Sequence, residues 1–294
     1  MRVAFIGCVA FSNAMLTRLA GWPDAEIVGV VTRRNSAFNA DFQCLAPTAQ
    51  KIGVPCLEVD GNDQQQMADW LRVLDPDVIY CVGWSYLLYP QILELAPKGV
   101  VGYHPTLLPR NRGRHPIIWA LALGLSRTGS TFFLMDESAD SGPILDQRAI
   151  AIDANDNAAS LYAKLTAAAG EQLGTVTAGL AGGTIEATPQ DPNRASYWRK
   201  RTATDGRIDW RMPAEGIYNL IRALHHPYPG AYCVLGADEV KIWQAEIEPH
   251  GPADAEPGRV MSVRDHCVTV KCGTHAVTLL EHEFPTLPEP GAYL

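Results

Sequence analysis

GVVGYHPTLLPRNRGRHPIIWAL runs from Gly99 to Leu121, and TGSTFFLMDESADSG follows from Thr128 to Gly142. An apolar strand ends on His104, and a loop rich in proline and arginine opens behind it. A short helical stretch and a second apolar strand then lead to a loop that carries Asp140. Alternation of strand and helix is the repeating step of a sheet covered on both faces. In such sheets ligands bind outside the carboxyl ends of the strands. His104 stands at one such end, and Asp140 follows another.

Working outward, the same alternation fills the first half of the chain. Strands are expected over Val3–Ile6, Ile27–Thr32, Val54–Leu57, Val78–Val82, Val100–His104 and Ser130–Met135. Helices are expected over Ser12–Ala20, Cys44–Ile52, Asp63–Leu74 and Pro116–Leu123. Ile144–Ile152 reads as a further strand, and Asn157–Leu180 as a long Ala-rich helix ending at Gly182-Gly183. The polar stretch from Thr188 to Gly206 reads as a linker. Met212–Leu224 is an amphipathic helix with Pro213 near its start, a favoured place for proline. Short strands near Tyr232–Leu235, Val240–Glu246, Gly258–Val263, Cys267–Lys271 and Ala276–Glu283 suggest a small β-barrel or an open sheet.

Composition narrows the function classes. The 294 residues are 47% hydrophobic and 19% charged, with a net charge of −8. That describes a globular chain of one large and one smaller domain. The acidic balance argues against nucleic acid as the main partner. No apolar run approaches the roughly 20 residues that span a bilayer. MRVAFIGCVAF reads as a first strand rather than a signal sequence. The seven cysteines are scattered and form no C-x-x-C pair, as expected of reduced thiols in a cytoplasmic protein.

The candidate chemistry lies at the strand ends. An imidazole titrates near neutrality and can take a proton from an amine. An aspartate beside it would orient the ring and stabilise its charged form. Taken singly, His104 could be a structural histidine and Asp140 a turn residue. Arg110, Arg112 and Arg114 in one loop read either as a solvated basic loop or as guanidinium forks for an anion. The aromatics of VIYCVGWSYLL, from Val78 to Leu88, read either as core or as the wall of a flat heteroaromatic ring. FIGCVAFSN carries neither G-x-G-x-x-G nor a P-loop. The eight histidines show no metal-ligand spacing, so no metal is expected.

HPTLLPRNRGRHPI followed by DESADSG resembles the 10-formyltetrahydrofolate-dependent formyltransferases. These include methionyl-tRNA formyltransferase, the sugar-nucleotide N-formyltransferases of surface polysaccharide synthesis and the 4-amino-arabinose enzyme of the lipid A pathway. RIDWRMPAEGIYNLIRALHHPYPGAY, from Arg207 to Tyr232, looks like the start of their C-terminal subdomain. The resemblance thus reaches from the first strands to about Glu283. The expected fold is α/β: a Rossmann-like, mainly parallel sheet with helices on both faces, plus a smaller β-rich, OB-like subdomain. The expected domains are a catalytic domain over 1–184, a linker over 185–206 and the C-terminal subdomain over 207–294.

The resemblance implies a role for each matching position. His104 is the general base and Asp140 its support. N10-formyltetrahydrofolate, the formyl donor, would lie along Trp84, Ser85, Tyr86, Leu87 and Leu88. Pro105, Thr106, Leu107, Leu108 and Pro109 would flank it, as would the loop of Asp136, Glu137, Ser138 and Ala139. Arg114 matches a cofactor-binding arginine of the lipid A pathway enzyme. Arg110, Asn111, Arg112 and Trp119 would meet the acceptor. The implied reaction is attack of a neutral amine on the N10-formyl carbon. Relatives often dimerise, and no sequence feature here bears on a homodimer.

One position departs from the family. The motif is usually N-x-H-P, with the Asn donating to the developing oxyanion, and here that position is Gly102. Losing such a donor typically costs about 10²–10³ in rate. Three readings follow: another donor or a water fills the space, the pair carries a slower reaction, or the protein is an impaired relative that binds its ligands. The first is the reading adopted, because His104, the arginine loop and Asp140 all remain.

The acceptor expected is a nucleotide-linked amino sugar. The chain is acidic, and TRRNSAFNADFQCLAP lacks the basic loop that tRNA formyltransferases insert there. The alternatives are charged initiator tRNA and an amino acid such as hydroxyornithine. His225 and His226 are read as structural.

Overall fold

The computed structural model describes residues 1–36, 39–250, 252 and 254–294. The chain forms two compact units. One comprises Met1–Pro116, Thr128–Ile150 and Ala163–Trp198; the other comprises Ile117–Arg127, Ala151–Tyr162 and Arg199–Leu294.

The first half alternates as its pattern predicts: β1 (Arg2–Ile6), α1 (Ala10–Ala20), β2 (Glu26–Arg33), α2 (Ala46–Lys51), β3 (Cys56–Val59), α3 (Gln64–Leu74), β4 (Val78–Cys81), α4 (Pro90–Leu93) and β5 (Val100–His104). Then come β6 (Arg112–Gly113), α5 (Pro116–Ala122), β7 (Arg127–Leu134), β8 (Ile144–Ala151) and the long α6 (Ala158–Gly182). Seven strands form one sheet in the order β3-β2-β1-β4-β5-β7-β8. The pairings from β3 across to β5 are parallel, whereas β5 and β7 run antiparallel. The sheet is therefore mainly parallel, as expected.

Side chains alternate across this sheet with the period of two that a strand imposes. Ala4, Ile6, Val31 and Ile79 pack with Met67, Ala68 and Leu71 of α3 and Ile92 of α4. On the other face the buried Tyr80 hydroxyl meets Thr177 of α6 at 2.9 Å. Asp63 caps α3, its carboxylate accepting the Gln66 amide at 3.0 Å. Such a cap is worth about 1 kcal/mol. The third strand lies two residues later than predicted, at Cys56–Val59. Register there follows pairing with β2, in which Val30 stands opposite Cys56.

The segment expected as a linker carries single 3₁₀ turns at Pro192–Arg194 and Ala203–Gly206, and between them β9 (Tyr197–Trp198). β9 pairs with β6, Arg112 opposite Tyr197 and Gly113 opposite Trp198. A Cβ on Gly113, whose φ is +104°, would run into the Trp198 carbonyl. That close approach requires glycine.

The second unit holds α7 (Ala214–Ala223), β10 (Ala231–Leu235), β11 (Asp238–Glu248), β12 (Val260–Arg264), β13 (Cys267–Lys271) and β14 (Ala276–His282). The five strands form an antiparallel sheet in the order β10-β11-β14-β13-β12. α7 buries Ile217, Leu220 and Ile221. No helix among the described residues is long and apolar enough to cross a membrane.

Gly102 is where the structure corrects the sequence reading. It lies in mid-β5, opposite Phe133. A Cβ placed there would stand 2.8 Å from Cγ of Met135 and 2.9 Å from Cζ of Phe133. The room beside this glycine is thus filled by two apolar side chains. Neither side chain offers a hydrogen-bond donor at the position where the family motif usually carries Asn. Gly102→Ala gains strand propensity yet overpacks a closed core, which typically costs about 1–3 kcal/mol. We expect a lowered urea midpoint with an unchanged slope. An unchanged or raised midpoint would show that Phe133 and Met135 yield freely.

Candidate active site

His104 ends β5 with its side chain buried. Pro105 follows, and the loop behind it is tied to β7: Thr128 Oγ1 donates to the Pro105 carbonyl at 2.8 Å and Thr131 Oγ1 to the Thr106 carbonyl at 2.6 Å. Thr106 Oγ1 in turn donates to the Arg110 carbonyl at 3.0 Å. The loop therefore returns over its own strand, with Asn111 at φ +63°. Asparagine is among the residues that enter this left-handed region most readily. The return places the Asn111 carbonyl 2.8 Å from His104 Nε2.

A carbonyl oxygen only accepts, so Nε2 carries the hydrogen. The neutral ring then has its lone pair on Nδ1. That nitrogen faces Asp140 Oδ2 at 3.6 Å. The gap exceeds a hydrogen bond, while the carboxylate is close enough to stabilise a positive charge on the ring. Nδ1 is therefore the atom equipped to take a proton.

Asp140 sits at φ +55° in the loop after β7. Its Oδ2 also accepts the Gly113 amide at 2.8 Å. Earlier in the same loop, Asp136 Oδ1 accepts the Ser138 amide at 3.0 Å and the Ser141 hydroxyl at 2.6 Å. The structure thus brings His104, Asn111, Gly113 and Asp140 together from two loops that are distant in sequence.

The three loop arginines have three different surroundings. Arg110 is exposed, and its guanidinium has no hydrogen-bond or ion-pair partner among the described residues. Arg112, expected to meet the acceptor, is instead 4% exposed and turned inward. Its Nε and Nη2 donate to Gln190 Oε1 at 3.2 and 2.7 Å, and its Nη1 donates to the Tyr197 hydroxyl at 2.8 Å. Arg114 Nη1 donates to the Ser85 carbonyl at 2.7 Å. Trp119 belongs to the second unit. There its indole N–H donates to the Arg199 carbonyl at 3.0 Å, and the Arg201 guanidinium lies 4.6 Å over its ring.

The stretch after β4 is held by Gln64, which donates to the Leu87 carbonyl and accepts the Tyr89 amide, both at 2.6 Å. Trp84 packs against the hydrophobic core, 6.2 Å from the Tyr86 ring. Its indole N–H is buried without a partner. Leu88, Thr106 and Leu108 are buried, whereas Leu87 is half exposed. The amides of Leu87, Leu88, Glu137 and Ala139 find no acceptor among the described residues. A flat heteroaromatic rich in ring nitrogens and carbonyls would suit such donors, with Trp84 and Tyr86 as apolar walls.

Other chemistry is poorly supplied. Burial pushes the Cys8 thiol up to about 12 and the Cys81 thiol well above its ordinary range. Neither is a thiolate nucleophile at neutral pH. No group of three His, Cys, Asp or Glu among the described residues is placed to hold a metal ion. Sequence reading missed Gln190, Ser196 and Tyr197. They lie in a polar stretch without periodicity, and nothing in their spacing marks them. Ser196 Oγ accepts the Asn111 amide at 2.9 Å and so supports the carbonyl that holds His104.

Comparison with known proteins bears on the fold. Among solved structures, the chain superposes on an N-formyltransferase from Helicobacter canadensis with a TM-score of 0.70 at 15% identity, over 94% of this chain and 98% of the other. That protein is seen with folinic acid and dTDP-3-aminofucose. WlaRD, a sugar 3N-formyl transferase seen with dTDP and 5-N-formyl-THF, gives a TM-score of 0.70 at 15% identity, over 98% and 99% of the two chains. HypX from Aquifex aeolicus, seen with tetrahydrofolic acid, gives 0.66 at 20% identity, over 95% of this chain. The chain spans less than half of HypX, 43% of its length. At such identities the likeness is one of fold. The formyl transferase family model matches residues 1–177, and the model of the formyl transferase C-terminal domain matches residues 200–288. The chain therefore belongs to the formyl transferase family.

Proposed function

We propose that this formyltransferase moves a formyl group from N10-formyltetrahydrofolate to the amine of a nucleotide-linked amino sugar, with His104 as the base. The observation that carries the reading is the pair of the buried His104 Nδ1 and the partly exposed Asp140 Oδ2, 3.6 Å apart, with Nε2 held by the Asn111 carbonyl. The sugar acceptor is supported by likeness along nearly the whole chain to two structures described with dTDP or a dTDP-sugar. The donor is supported by the folates in the same structures.

When bound, the donor supplies an electrophilic formyl carbon, and transfer to an amine leaves tetrahydrofolate. The chain's own residues do the rest. Trp84 and Tyr86 wall the heteroaromatic ring, and the amides of Leu87, Leu88, Glu137 and Ala139 bind its polar edge. Nδ1 of His104 takes the proton that the attacking amine gives up. Asp140 stabilises the resulting imidazolium without taking the proton itself. The Nε2–H bond to Asn111 keeps the ring in one tautomer throughout. Arg110, exposed and unpaired, meets the phosphates of the acceptor. The seven free cysteines suit a reducing, cytoplasmic compartment.

A second reading rests on Gly102. With Phe133 and Met135 filling the Asn position, the protein would bind donor and acceptor with impaired turnover. Product formation separates the two.

Mass spectrometry of a panel of nucleotide-linked amino sugars incubated with the formyl donor is expected to show one formyl group added to one of them. His104→Ala should lower kcat by about 10²–10⁴, and Asp140→Asn should lower it by about tenfold or more. Binding without product would favour the second reading, and formylation of charged initiator tRNA at low enzyme would sink the sugar acceptor. Arg110→Ala should raise KM for the nucleotide sugar about tenfold at nearly constant kcat, as loss of uniform binding predicts. Adding salt should raise the wild-type KM and leave the variant's nearly unmoved; a salt response equal in both would remove Arg110 from the phosphate site.

A further inference from the structure

Gln190 lies between the two stretches that the family models match, 1–177 and 200–288. It nevertheless joins both loops of the candidate site. Its Oε1 accepts Arg112 Nε and Nη2 at 3.2 and 2.7 Å. Its Nε2 donates to the carbonyls of Asp140 and Gly142 at 2.9 and 2.7 Å. A guanidinium only donates and a carbonyl only accepts, so the amide has one orientation here. All four of its hydrogen-bonding positions are used, two toward each loop.

We propose that Gln190 is a positioning residue that sets the Asp140 carboxylate against His104. On one side, Arg112 is followed by Gly113, whose amide donates to Asp140 Oδ2 at 2.8 Å, and preceded by Asn111, whose carbonyl holds Nε2 of the ring. On the other side, Asp140 occupies a left-handed conformation, φ +55°, that costs a non-glycine residue energy. Two carbonyl acceptors flanking Ser141 are tied to one amide nitrogen, and this holds the turn in place. The pull on Arg112 is completed by Tyr197, whose hydroxyl accepts Nη1 at 2.8 Å. The inference rests on the reading of His104 and Asp140 as the proton-transfer pair.

Gln190→Glu is the discriminating variant. A carboxylate keeps the acceptor for Arg112, and with it the buried guanidinium's partner, but has no N–H for Asp140 and Gly142. If Gln190 serves only the fold, Glu at this position, whose oxygen would face two carbonyl oxygens, lowers stability but leaves kcat of the folded protein unchanged. If it positions Asp140, kcat falls about tenfold or more while KM for the donor stays within about twofold, since small misplacements at a reacting group carry large rate costs. In an Asp140→Asn background the same change should cost less than about twofold, because the carboxylate it would misplace is gone.

A readout independent of any acceptor is the ¹⁵N spectrum of the His104 ring, assigned by its loss in His104→Ala. Gln190→Glu is expected to move the Nδ1 signal in the same direction as Asp140→Asn, and the double variant should add nothing. A Gln190→Glu protein with wild-type kcat and an unmoved Nδ1 signal would overturn the proposal. So would costs that simply add in the double variant. His104→Ala with full turnover would instead remove the proton-transfer reading on which the proposal rests, and that outcome is distinct from loss of the Gln190 effect alone.

Discussion

The bond from His104 Nε2 to the Asn111 carbonyl decides which ring nitrogen can take a proton. A histidine at a strand end has two nitrogens and no intrinsic preference strong enough to order a reaction. Committing Nε2 to a carbonyl leaves Nδ1 as the basic atom, and Nδ1 is the one that Asp140 faces. Everything around the site serves that commitment. Thr106 holds the Arg110 carbonyl, Ser196 accepts the Asn111 amide, and Pro105 is tied down by Thr128. The loop can turn back over its own strand because Asn111 tolerates the left-handed conformation.

Gly102 gives the site a second character. Its place on β5 shares a face with His104, two residues away on the same strand. In this chain that face is closed beside Gly102 by Phe133 and Met135, so the strand contributes an apolar wall two residues from His104. A low-dielectric wall strengthens the interaction between imidazolium and carboxylate. It also leaves stabilisation of negative charge to other groups. The amides of Glu137 and Ala139, in the loop that carries Asp140, find no acceptor among the described residues.

Much of the fold was legible from pattern. The strands of the parallel sheet carry short apolar runs, and the helices between them carry the apolar spacing that buries one face, as in Met67, Ala68 and Leu71 of α3. β3 was displaced by two residues because its register depends on hydrogen bonding to β2, not on its own composition. In the site, His104 and Asp140 stood out because each follows an apolar strand and carries a titratable group. Arg112 was read as reaching outward, since a sequence of three arginines carries no sign of which one is turned in. Gln190 was invisible for a related reason. A side chain that acts through four hydrogen bonds to distant loops leaves no periodicity and no motif.

By itself, the sequence determined the order of strands and helices, the strand ends that carry chemistry, and the resemblance of two short motifs to the formyltransferases. Local backbone preference and apolar spacing suffice for these, because each is set within a few neighbouring residues. The tertiary structure alone decided the tautomer of His104, the inward turn of Arg112 and the closure of the Gly102 position. Each depends on groups brought within a few ångströms from segments 7 to 78 residues apart, as between His104 and Asn111 or between Arg112 and Gln190. Contacts of that kind follow from how the sheet and its loops pack, and no local run of residues encodes them.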